Sequence, residues 1–370
     1  MRSIYLVSRA KMTGPINQGL NILKGMKQNG RVQSTLVTLA PEDPEKSWLY
    51  RYKEIGLDIV QFNQPLWKSL CAIPKLRKYI NEQHVDVIHS CGYRANFIAL
   101  MAHTGAKIVI TQRCHPSEAV EKFPKAIQPI FNAFYLWMIK RMDAIVACSK
   151  SIQSILKNEY YMDVECVQNG VDTDFFLPPT EDQKKMLRRE LGLPLDKKVY
   201  LVLGSLRDRK NNSLIINAMN KLHPDKIVIV FVGNGPEENM LKEKSSSNEN
   251  IIFAGQTKTP IKYLQSADVL VSASLAEGLP NTVLEALSCG LPCILSDIDP
   301  HKELIEGTEA GIIFKRHSIE ELCGCILDSC QWNMITKSHK AREIANDNFG
   351  VCSLAQKYEK IYRNVLNGVM

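Results

Sequence analysis

Long apolar runs are missing from this sequence, which has no stretch near the ~20 apolar residues that a membrane-spanning helix needs. The apolar run at residues 4–7 is too short for a signal peptide, and no small-residue cleavage site follows it. The 11 cysteines lack the spacing of a zinc site, since the nearest pair, Cys323 and Cys325, has neither a two-residue spacer nor a second pair. The sequence therefore predicts a cytoplasmic protein with reduced thiols.

Acidic residues are fewer than basic residues in the first half of the chain, and equal to them in number in the second half. Residues 1–177 hold 22 Lys and Arg against 15 Asp and Glu, whereas residues 178–370 hold 24 of each. A basic half can face an anionic surface, although scattered solvated charge gives the same count. The apolar, aromatic segment 126–142 favours a helix buried on a sheet over one lying in a membrane interface. Peripheral contact with the anionic cytoplasmic face of the inner membrane stays open, and no nucleic-acid partner is expected.

Strand-like runs alternate with helical patterns throughout the chain. This alternation predicts an α/β fold, with parallel sheets covered by helices. A chain of 370 residues suits two domains of roughly 150 to 200 residues. We therefore expect two doubly wound Rossmann-like domains that face a central cleft. The predicted strands are residues 4–7, 32–38, 85–89, 107–111 and 144–148, then 199–203, 227–232, 251–253, 269–272 and 293–296.

A proline pair, Pro178 and Pro179, marks the predicted hinge between the two domains. The predicted limits are 1–177 for the first domain, 178–350 for the second, and 351–370 for a final helix that crosses back toward the first. One face of that helix carries Leu354, Tyr358, Ile361, Tyr362 and Val365.

Two carboxylates frame the strongest motif, EGLPNTVLEAL at residues 277–287. A helix is expected from Asn281, and its first amides, near residues 278–282, can receive a phosphate. Glu285, about one turn into that helix, can accept hydrogen bonds from a ribose diol. Glu277, in the loop, can bind sugar hydroxyls and stabilise positive charge at an anomeric carbon. Spacing alone would equally fit two surface acids near a helix start.

The wider pattern around these acids resembles glycosyltransferase family 4. EGLPN with LEA, followed by CGLP at 289–292 and SD at 296–297, is similar to the Glu-x7-Glu signature of that family. NGVDTDFF at 169–176 resembles the domain-junction motif, VGNGP at 232–236 the Gly-x-Gly-Pro turn, and GSLRDRKN at 204–211 the phosphate loop.

This resemblance implies a retaining, metal-independent glycosyltransferase with the GT-B fold. The first domain would then bind the acceptor and the second the nucleotide-sugar, with a UDP-sugar favoured over a GDP-sugar and no cofactor. The implied acceptor is a saccharide or a polyprenyl-diphosphate-linked saccharide. The implied process is bacterial lipopolysaccharide O-antigen, capsule or exopolysaccharide assembly.

The residues that match the family's phosphate loop depart from its pattern at one position. The match puts the diphosphate-binding cation on Lys210, whereas Ser205 stands where the family has an arginine. Arg207 or Arg209 can supply the missing charge, because a flexible guanidinium in the same loop can reach a diphosphate. Gly14 stands for the usual double glycine, and its missing Cβ would let the backbone approach the diphosphate.

Where the family commonly has a histidine after a strand of the first domain, this chain reads TQRCH at 111–115. Arg113 is the preferred occupant, as a cation near the donor sugar or the leaving phosphate, and His115 is the second choice. The loop 253–257 is expected beside the base. The implied catalytic residues are Glu277 and Arg113, and the implied donor-binding residues are Gly14, Arg207, Arg209, Lys210, Gln256, Gly278, Leu279, Pro280, Asn281, Thr282 and Glu285.

Other functions fit the sequence less well. The Asp-x-Asp tripeptides at 172–174 and 297–299 do not end a nucleotide-binding sheet as a manganese motif would, so no essential metal is expected. GNGPEE at 233–238 lacks the third glycine of a dinucleotide-binding motif. A sugar-nucleotide epimerase or a non-catalytic nucleotide-sugar-binding protein of the same architecture is the alternative.

Overall fold

Two units make up the chain in the computed structural model, which describes residues 1–120, 123–222 and 224–369. Unit 1 is Met1–Gly170 together with the segment from Val351 onward, and unit 2 is Val171–Gly350. The division therefore precedes the predicted limit at 177. Its physical reason is that Val171 pairs with Gly350, and that Arg342 donates hydrogen bonds to the carbonyl oxygens of Thr173 and Phe176.

Each unit is built on a parallel sheet. The sheet of unit 1 has the strand order β3-β2-β1-β4-β5-β6-β7, and that of unit 2 has the order β10-β9-β8-β11-β12-β13. Both orders confirm the predicted pair of doubly wound, Rossmann-like sheets. The strands are β1 (Arg2–Val7), β2 (Gln33–Thr38), β3 (Asp58–Gln61), β4 (Val87–Cys91), β5 (Lys107–Gln112), β6 (Ala144–Ala147), β7 (Glu165–Cys166), β8 (Lys198–Leu203), β9 (Ile227–Val232), β10 (Ile251–Gly255), β11 (Val269–Ser272), β12 (Cys293–Ser296) and β13 (Gly311–Phe314).

Helices connect the strands. Within the described residues, no helix has the length and apolarity that crossing a bilayer requires. The α-helices are α1 (Gly14–Asn29), α2 (Leu49–Glu54), α3 (Ala72–Gln83), α4 (Tyr93–Ala102), α5 (Gln128–Ile139), α6 (Lys150–Tyr160), α7 (Glu181–Glu190), α8 (Asn212–Leu222), α9 (Glu238–Lys244), α10 (Pro260–Ser266), α11 (Asn281–Ser288), α12 (Asp299–Ile305), α13 (Ile319–Ser329), α14 (Met334–Phe349) and α15 (Val351–Leu366).

The central strands are apolar because helices cover both faces of each sheet. β9 reads IVIVFV, and all its residues are buried. In each sheet the chain starts in the middle and later returns to the other side of its first strand. β1 and β4 therefore flank the topological switch point of unit 1, and β8 and β11 flank that of unit 2. Ligands of doubly wound sheets bind beyond the carboxyl ends of such strands.

The final helix, α15, completes the core of unit 1 by packing on α1. The hydroxyl of Tyr362 lies 2.8 Å from Nδ1 of His89, whose Nε2 lies 2.9 Å from Oγ1 of Thr111. Tyr358 in turn contacts Thr111 at 2.8 Å. Burial and then the charge of Arg113 lower the pKa of His89 to about 3. His89 is therefore a neutral, structural histidine.

The aromatic segment predicted to lie buried on the sheet is only half buried. α5 buries Tyr135, Met138 and Ile139, but its outer face exposes Ile130 by 69%, Phe134 by 37% and Trp137 by 42%. The predicted burial of this helix therefore holds for one face only, and the outer face keeps its apolar side chains in contact with solvent.

Candidate active site

Two loops of unit 2 meet at its topological switch point. The loop that follows β8 spans residues 204–211, and the loop that follows β11 spans residues 273–280. The backbone N–H of Leu275 donates to the carbonyl oxygen of Arg209 over 2.8 Å, so the two loops are fastened together. Nζ of Lys210 lies 2.5 Å from Oε1 of Glu277. The fold thus brings together the predicted diphosphate cation and the predicted catalytic acid.

Glycines shape the loop that carries Lys210. Gly204 and Gly233 have φ values of +145° and +140°, which L side chains rarely adopt. A Cβ on Gly233 would lie 1.9 Å from the carbonyl oxygen of Gly204, and one on Gly235 would lie 2.2 Å from that of Leu206. The backbone N–H of Leu206 donates to Asn234 over 2.9 Å. The Gly-x-Gly-Pro turn therefore holds the phosphate loop by close backbone contact.

Glu277 is a buried carboxylate with a cationic partner. Its side chain is 9% exposed and that of Lys210 is 19% exposed. The hydroxyl of Ser274 donates to Glu277 over 2.9 Å. Burial alone would raise the pKa of Glu277, but the charge and hydrogen bond of Lys210, with smaller help from His301 and Ser274, lower it below its ordinary value. Glu277 is therefore ionised, and Lys210 is held in place by it.

His301, which the sequence analysis did not select, lies near the ion pair of Lys210 and Glu277. Nδ1 of His301 lies 3.0 Å from the carbonyl oxygen of Ser296, so Nδ1 carries the proton and donates. Nε2 faces the hydroxyl of Ser272 at 3.5 Å, and that hydroxyl lies 3.1 Å from the hydroxyl of Ser274. The hydroxyls of Ser272 and Ser274 therefore lie between His301 and Glu277. A single histidine in α12 has no spacing signal, so only the fold reveals it.

The remaining predicted residues of unit 2 lie around these loops. Pro280 occupies the N-cap position of α11, where no side chain caps the helix. Leu279 is buried, whereas Asn281 and Thr282 form the first turn and are partly exposed, as is Gly278 in the loop. Glu285 follows on α11 and is also partly exposed.

The two candidate arginines, Arg207 and Arg209, and Gln256 in the loop expected beside the base, are exposed to solvent. Gln256, in the loop after β10, accepts a hydrogen bond from the amide of Asn234 over 3.1 Å. The choice between Arg207 and Arg209 as the replacement for the family arginine stays a prediction.

Two predicted residues belong to unit 1. Arg113 is half-buried and donates to Oδ1 of Asn169 over 2.6 Å, while its Nε and Nη2 atoms are buried without a hydrogen-bond partner. Gly14 begins α1 and is exposed. His115 is engaged elsewhere, because its ring lies 2.7 Å from the hydroxyl of Ser117 and 3.0 Å from Glu159. Arg113 rather than His115 therefore keeps polar groups for a further partner.

The Asp-x-Asp tripeptides have local structural contacts. Asp172 accepts from the backbone N–H of Phe175 over 3.3 Å. Asp297 accepts from the N–H of Arg316 over 3.0 Å and also pairs with its guanidinium. Over residues 1–120, 123–222 and 224–369, no three His, Cys, Asp or Glu side chains are grouped to hold a metal ion.

We expect the free energy of unfolding to fall as the pH drops below about 6.5. Burial holds the pKa of His89 at about 3 and that of His301 at about 4, whereas both protonate near 6.5 once unfolded. The unfolded chain then binds more protons, so this stability is complete above pH 6.5 and is lost on acidification toward these values. Each histidine contributes up to about 1.4 kcal/mol per pH unit. Urea denaturation at pH 7.5, 6 and 5 measures the slope.

The matched variant for that experiment is His89→Gln, which keeps hydrogen-bonding atoms but cannot take up a proton. Its unfolding free energy should depend less steeply on pH than that of the natural chain. Equal slopes for the two proteins would show that folding does not lower the pKa of His89.

Comparisons with known proteins cover most of the chain. The family model described as Glycosyltransferase Family 4 matches residues 19–175, and that described as Glycosyl transferases group 1 matches residues 183–329. A UDP-Gal:alpha-D-GlcNAc-diphosphoundecaprenol alpha-1,3-galactosyltransferase of Escherichia coli is 23% identical over 81% of both chains. The O-antigen biosynthesis glycosyltransferase WclY of Escherichia coli is 23% identical over the whole of both.

Solved structures share the two-unit architecture. A glycosyltransferase from Rickettsia africae ESF-5 superposes with a TM-score of 0.79 at 18% identity, covering 99% of this chain and 98% of that one. Anabaena HepE in complex with UDP and glucose gives a TM-score of 0.79 at 19% identity, covering 98% and 99%. These structures show that the chain has the GT-B fold. The two family models, which together cover most of the chain, show that it belongs to glycosyltransferase family 4.

Proposed function

We propose that this chain transfers a hexose from a nucleotide-diphosphate sugar, with a UDP-sugar favoured over a GDP-sugar, to a saccharide carried on a lipid diphosphate. The anomeric configuration is retained, and no metal ion or cofactor takes part. The process served is the assembly of a bacterial surface polysaccharide such as O-antigen. The protein acts in the cytoplasm, in peripheral contact with the inner membrane.

The observation that carries this proposal is the buried ion pair of Lys210 and Glu277. A diphosphate gains from the ammonium group and from the amides at the start of α11. A protein that only bound a nucleotide would need that cation, but a carboxylate beside it would repel the phosphates. The buried acid is useful when a sugar lies next to the diphosphate, because it accepts hydrogen bonds from sugar hydroxyls.

In the proposed step, the bond between the anomeric carbon and the leaving phosphate oxygen breaks while the acceptor oxygen bonds to the same face of that carbon. The leaving phosphate takes the proton of the acceptor hydroxyl. Glu277 stabilises the positive charge that develops on the sugar, and Lys210 stabilises the negative charge on the departing nucleoside diphosphate. Neither side chain forms a covalent bond to the sugar.

The relatives support the substrate classes of this proposal. The name of one Escherichia coli relative specifies a UDP-galactose donor and a diphosphoundecaprenol-linked acceptor, and HepE was solved with UDP and glucose. Other relatives carry names from O-antigen, teichuronic acid and lipopolysaccharide core biosynthesis. Nucleotide-sugar donors and saccharide acceptors are common to these names, whereas the sugars themselves differ.

Glu285→Ala is expected to raise the donor KM about tenfold and to change kcat by less than about threefold. Loss of a hydrogen bond to the ribose removes binding that ground state and transition state share. A thermal-shift screen of UDP-, GDP- and ADP-sugars first identifies the donor, and nucleotide release with an acceptor then gives both constants. Glu306→Ala, at the exposed C-cap of α12, is the matched control.

Product analysis tests the reaction itself. Nuclear magnetic resonance of the product should show the anomeric configuration of the donor, and EDTA should leave the rate unchanged. A free epimerised sugar-nucleotide, or donor binding without turnover, would contradict glycosyl transfer. A donor KM for Glu285→Ala equal to that of the natural chain would remove this residue from the donor site.

A further inference from the structure

Two arginines lie at the topological switch point of unit 1. Arg9 follows β1 directly after Ser8, and Arg94 lies in the first turn of α4, which follows β4. β1 and β4 are hydrogen-bonded neighbours, so both arginines lie beyond the carboxyl edge of the sheet at its switch point. That edge is where a doubly wound sheet binds its ligand.

Both arginine side chains have an N–H group without a hydrogen-bond partner. Arg94 donates to the hydroxyl of Ser8 at 3.4 Å and to the carbonyl oxygen of Gln64 at 3.0 Å. The Nε atoms of both Arg9 and Arg94 are buried without a hydrogen-bond partner. Burial and then the charge of Arg9 lower the pKa of Arg94, so the two like charges influence each other. A buried donor without a partner is costly unless a ligand supplies an acceptor.

Glu42, an acidic residue that contacts the loop after β1 at Ala10, already has hydrogen-bond partners. Glu42 accepts from the backbone N–H of Ala10 and from the hydroxyl of Ser47, both over 2.8 Å. The N-cap of α4 is Gly92, at φ +97°, where a Cβ would meet nothing within 4 Å. The position of a side chain at Gly92, beside the uncapped start of α4, is therefore open. An anion there would meet amide N–H groups as well as the guanidinium groups.

An apolar groove begins at the same turn of α4. Tyr93, which directly precedes Arg94, lines a cavity of about 420 Å³ together with Phe97, Ile130, Phe131 and Phe134. The segment after Gln64, which accepts a hydrogen bond from Arg94, exposes Trp67 by 79% and Leu70 by 63%. Apolar surface of this kind on a soluble domain marks a binding surface. Arg94 thus follows a residue of the groove in the sequence, and its partner Gln64 precedes the second exposed apolar surface.

We propose that Arg9 and Arg94 bind the phosphate groups of an amphiphilic acceptor and that the α4–α5 groove, formed by Tyr93, Phe97, Ile130, Phe131 and Phe134, binds the first part of its hydrocarbon chain. This inference rests on the proposed function and names the residues that would hold its acceptor. A free sugar phosphate would satisfy the arginines but would leave the groove empty. A purely apolar ligand would fill the groove but would leave both Nε atoms without acceptors.

Farnesyl diphosphate, farnesol and inorganic pyrophosphate are the probes, titrated calorimetrically into the full chain with UDP at saturation. Saturating UDP fills the proposed donor site at Lys210, so the probes do not bind at that site and the titration measures binding elsewhere. Farnesyl diphosphate should bind most tightly. Arg94→Gln and Arg9→Gln should each weaken farnesyl diphosphate and pyrophosphate about tenfold or more, because a charge-assisted hydrogen bond is lost, and should leave farnesol unchanged.

Ile130→Ser should weaken farnesyl diphosphate and farnesol but not pyrophosphate. The matched control is Arg141→Gln, which removes an arginine that lies over Trp137 at 4.0 Å, outside the groove, and should change no affinity. Arg94→Lys, which keeps the charge, should retain most of the pyrophosphate binding. Unchanged UDP affinity and melting temperature establish that each variant is folded.

Farnesyl diphosphate binding equal to that of the natural chain in both Arg94→Gln and Arg9→Gln would overturn the phosphate site. Farnesyl diphosphate binding no tighter than pyrophosphate would overturn the role of the groove. The two hypotheses fail separately: no sugar transfer from any donor, with farnesyl diphosphate binding intact, would refute only the proposed function. Sugar transfer with normal kinetics in both arginine variants would refute only this acceptor site.

Discussion

Glu277→Gln is expected to lower kcat about 100- to 1000-fold while the donor KM changes by less than about threefold. Glu277 carries a negative charge beside the site proposed for the donor sugar, held there by Lys210 at 2.5 Å and by Ser274 at 2.9 Å. A fixed charge that stabilises the transition state more than the ground state acts mainly on kcat. Initial rates over a range of donor concentrations measure both constants.

The matched control for this variant is Glu320→Gln. Glu320 also pairs with a lysine, Lys221, at 2.8 Å, but both side chains are more than half exposed. Exposed pairs of this kind contribute little to stability, so the control should have the kinetics of the natural chain. If Glu277→Gln kept its kcat while the fold remained intact, the assignment of Glu277 to the reaction would be wrong.

Gly25→Leu is expected to reduce the free energy of unfolding by about 3 kcal/mol. A Cβ at Gly25 would lie 2.2 Å from the carbonyl oxygen of Val351 and 2.8 Å from Cβ of Ala355. The close packing of α1 on α15 therefore depends on the missing side chain. Leucine favours helices, so a loss of stability would come from the contact and not from helix propensity. Urea denaturation followed by circular dichroism measures it.

Gly324→Leu provides the comparison, since Gly324 also lies within a helix, α13, but a Cβ there would meet nothing within 4 Å. The control should be as stable as the natural chain or slightly more stable, because glycine is a poor helix former. Equal stability of the two leucine variants would mean that α15 moves away from α1 at little cost.

The buried strands could be predicted from the sequence, and so could the edge strand β10, whereas the other three edge strands, β3, β7 and β13, could not. β9 and the part of β8 after Lys198 are continuous apolar runs because both faces are covered. By contrast, β3 reads DIVQ with no fully buried residue, and β7 has two residues. β13, at the other edge of its sheet, lies mostly half buried. Such short segments form strands because a neighbour offers backbone hydrogen bonds, and that neighbour is remote in the sequence.

The same difference separates the parts of the site. Lys210 and Glu277 could be selected because each lies in a motif with recognisable spacing, and the fold joins them. His301 and Arg9 have no such pattern around them. The importance of His301 depends on its contacts with Ser272 and Ser296, and that of Arg9 on a buried Nε without a hydrogen-bond partner. Only the three-dimensional structure supplies either observation.

The return of α15 to unit 1 determines when that unit can be finished during translation. Residues 171–350 form a continuous unit and can close their core as soon as they leave the ribosome. The sheet made from the first 170 residues must wait for its last helix during the synthesis of unit 2, roughly 10–40 s at usual elongation rates. Until then the apolar face of α1 is uncovered, so a chaperone that delays aggregation should favour the yield of this protein. A premature stop codon near the end of the message should damage the unit encoded at its beginning.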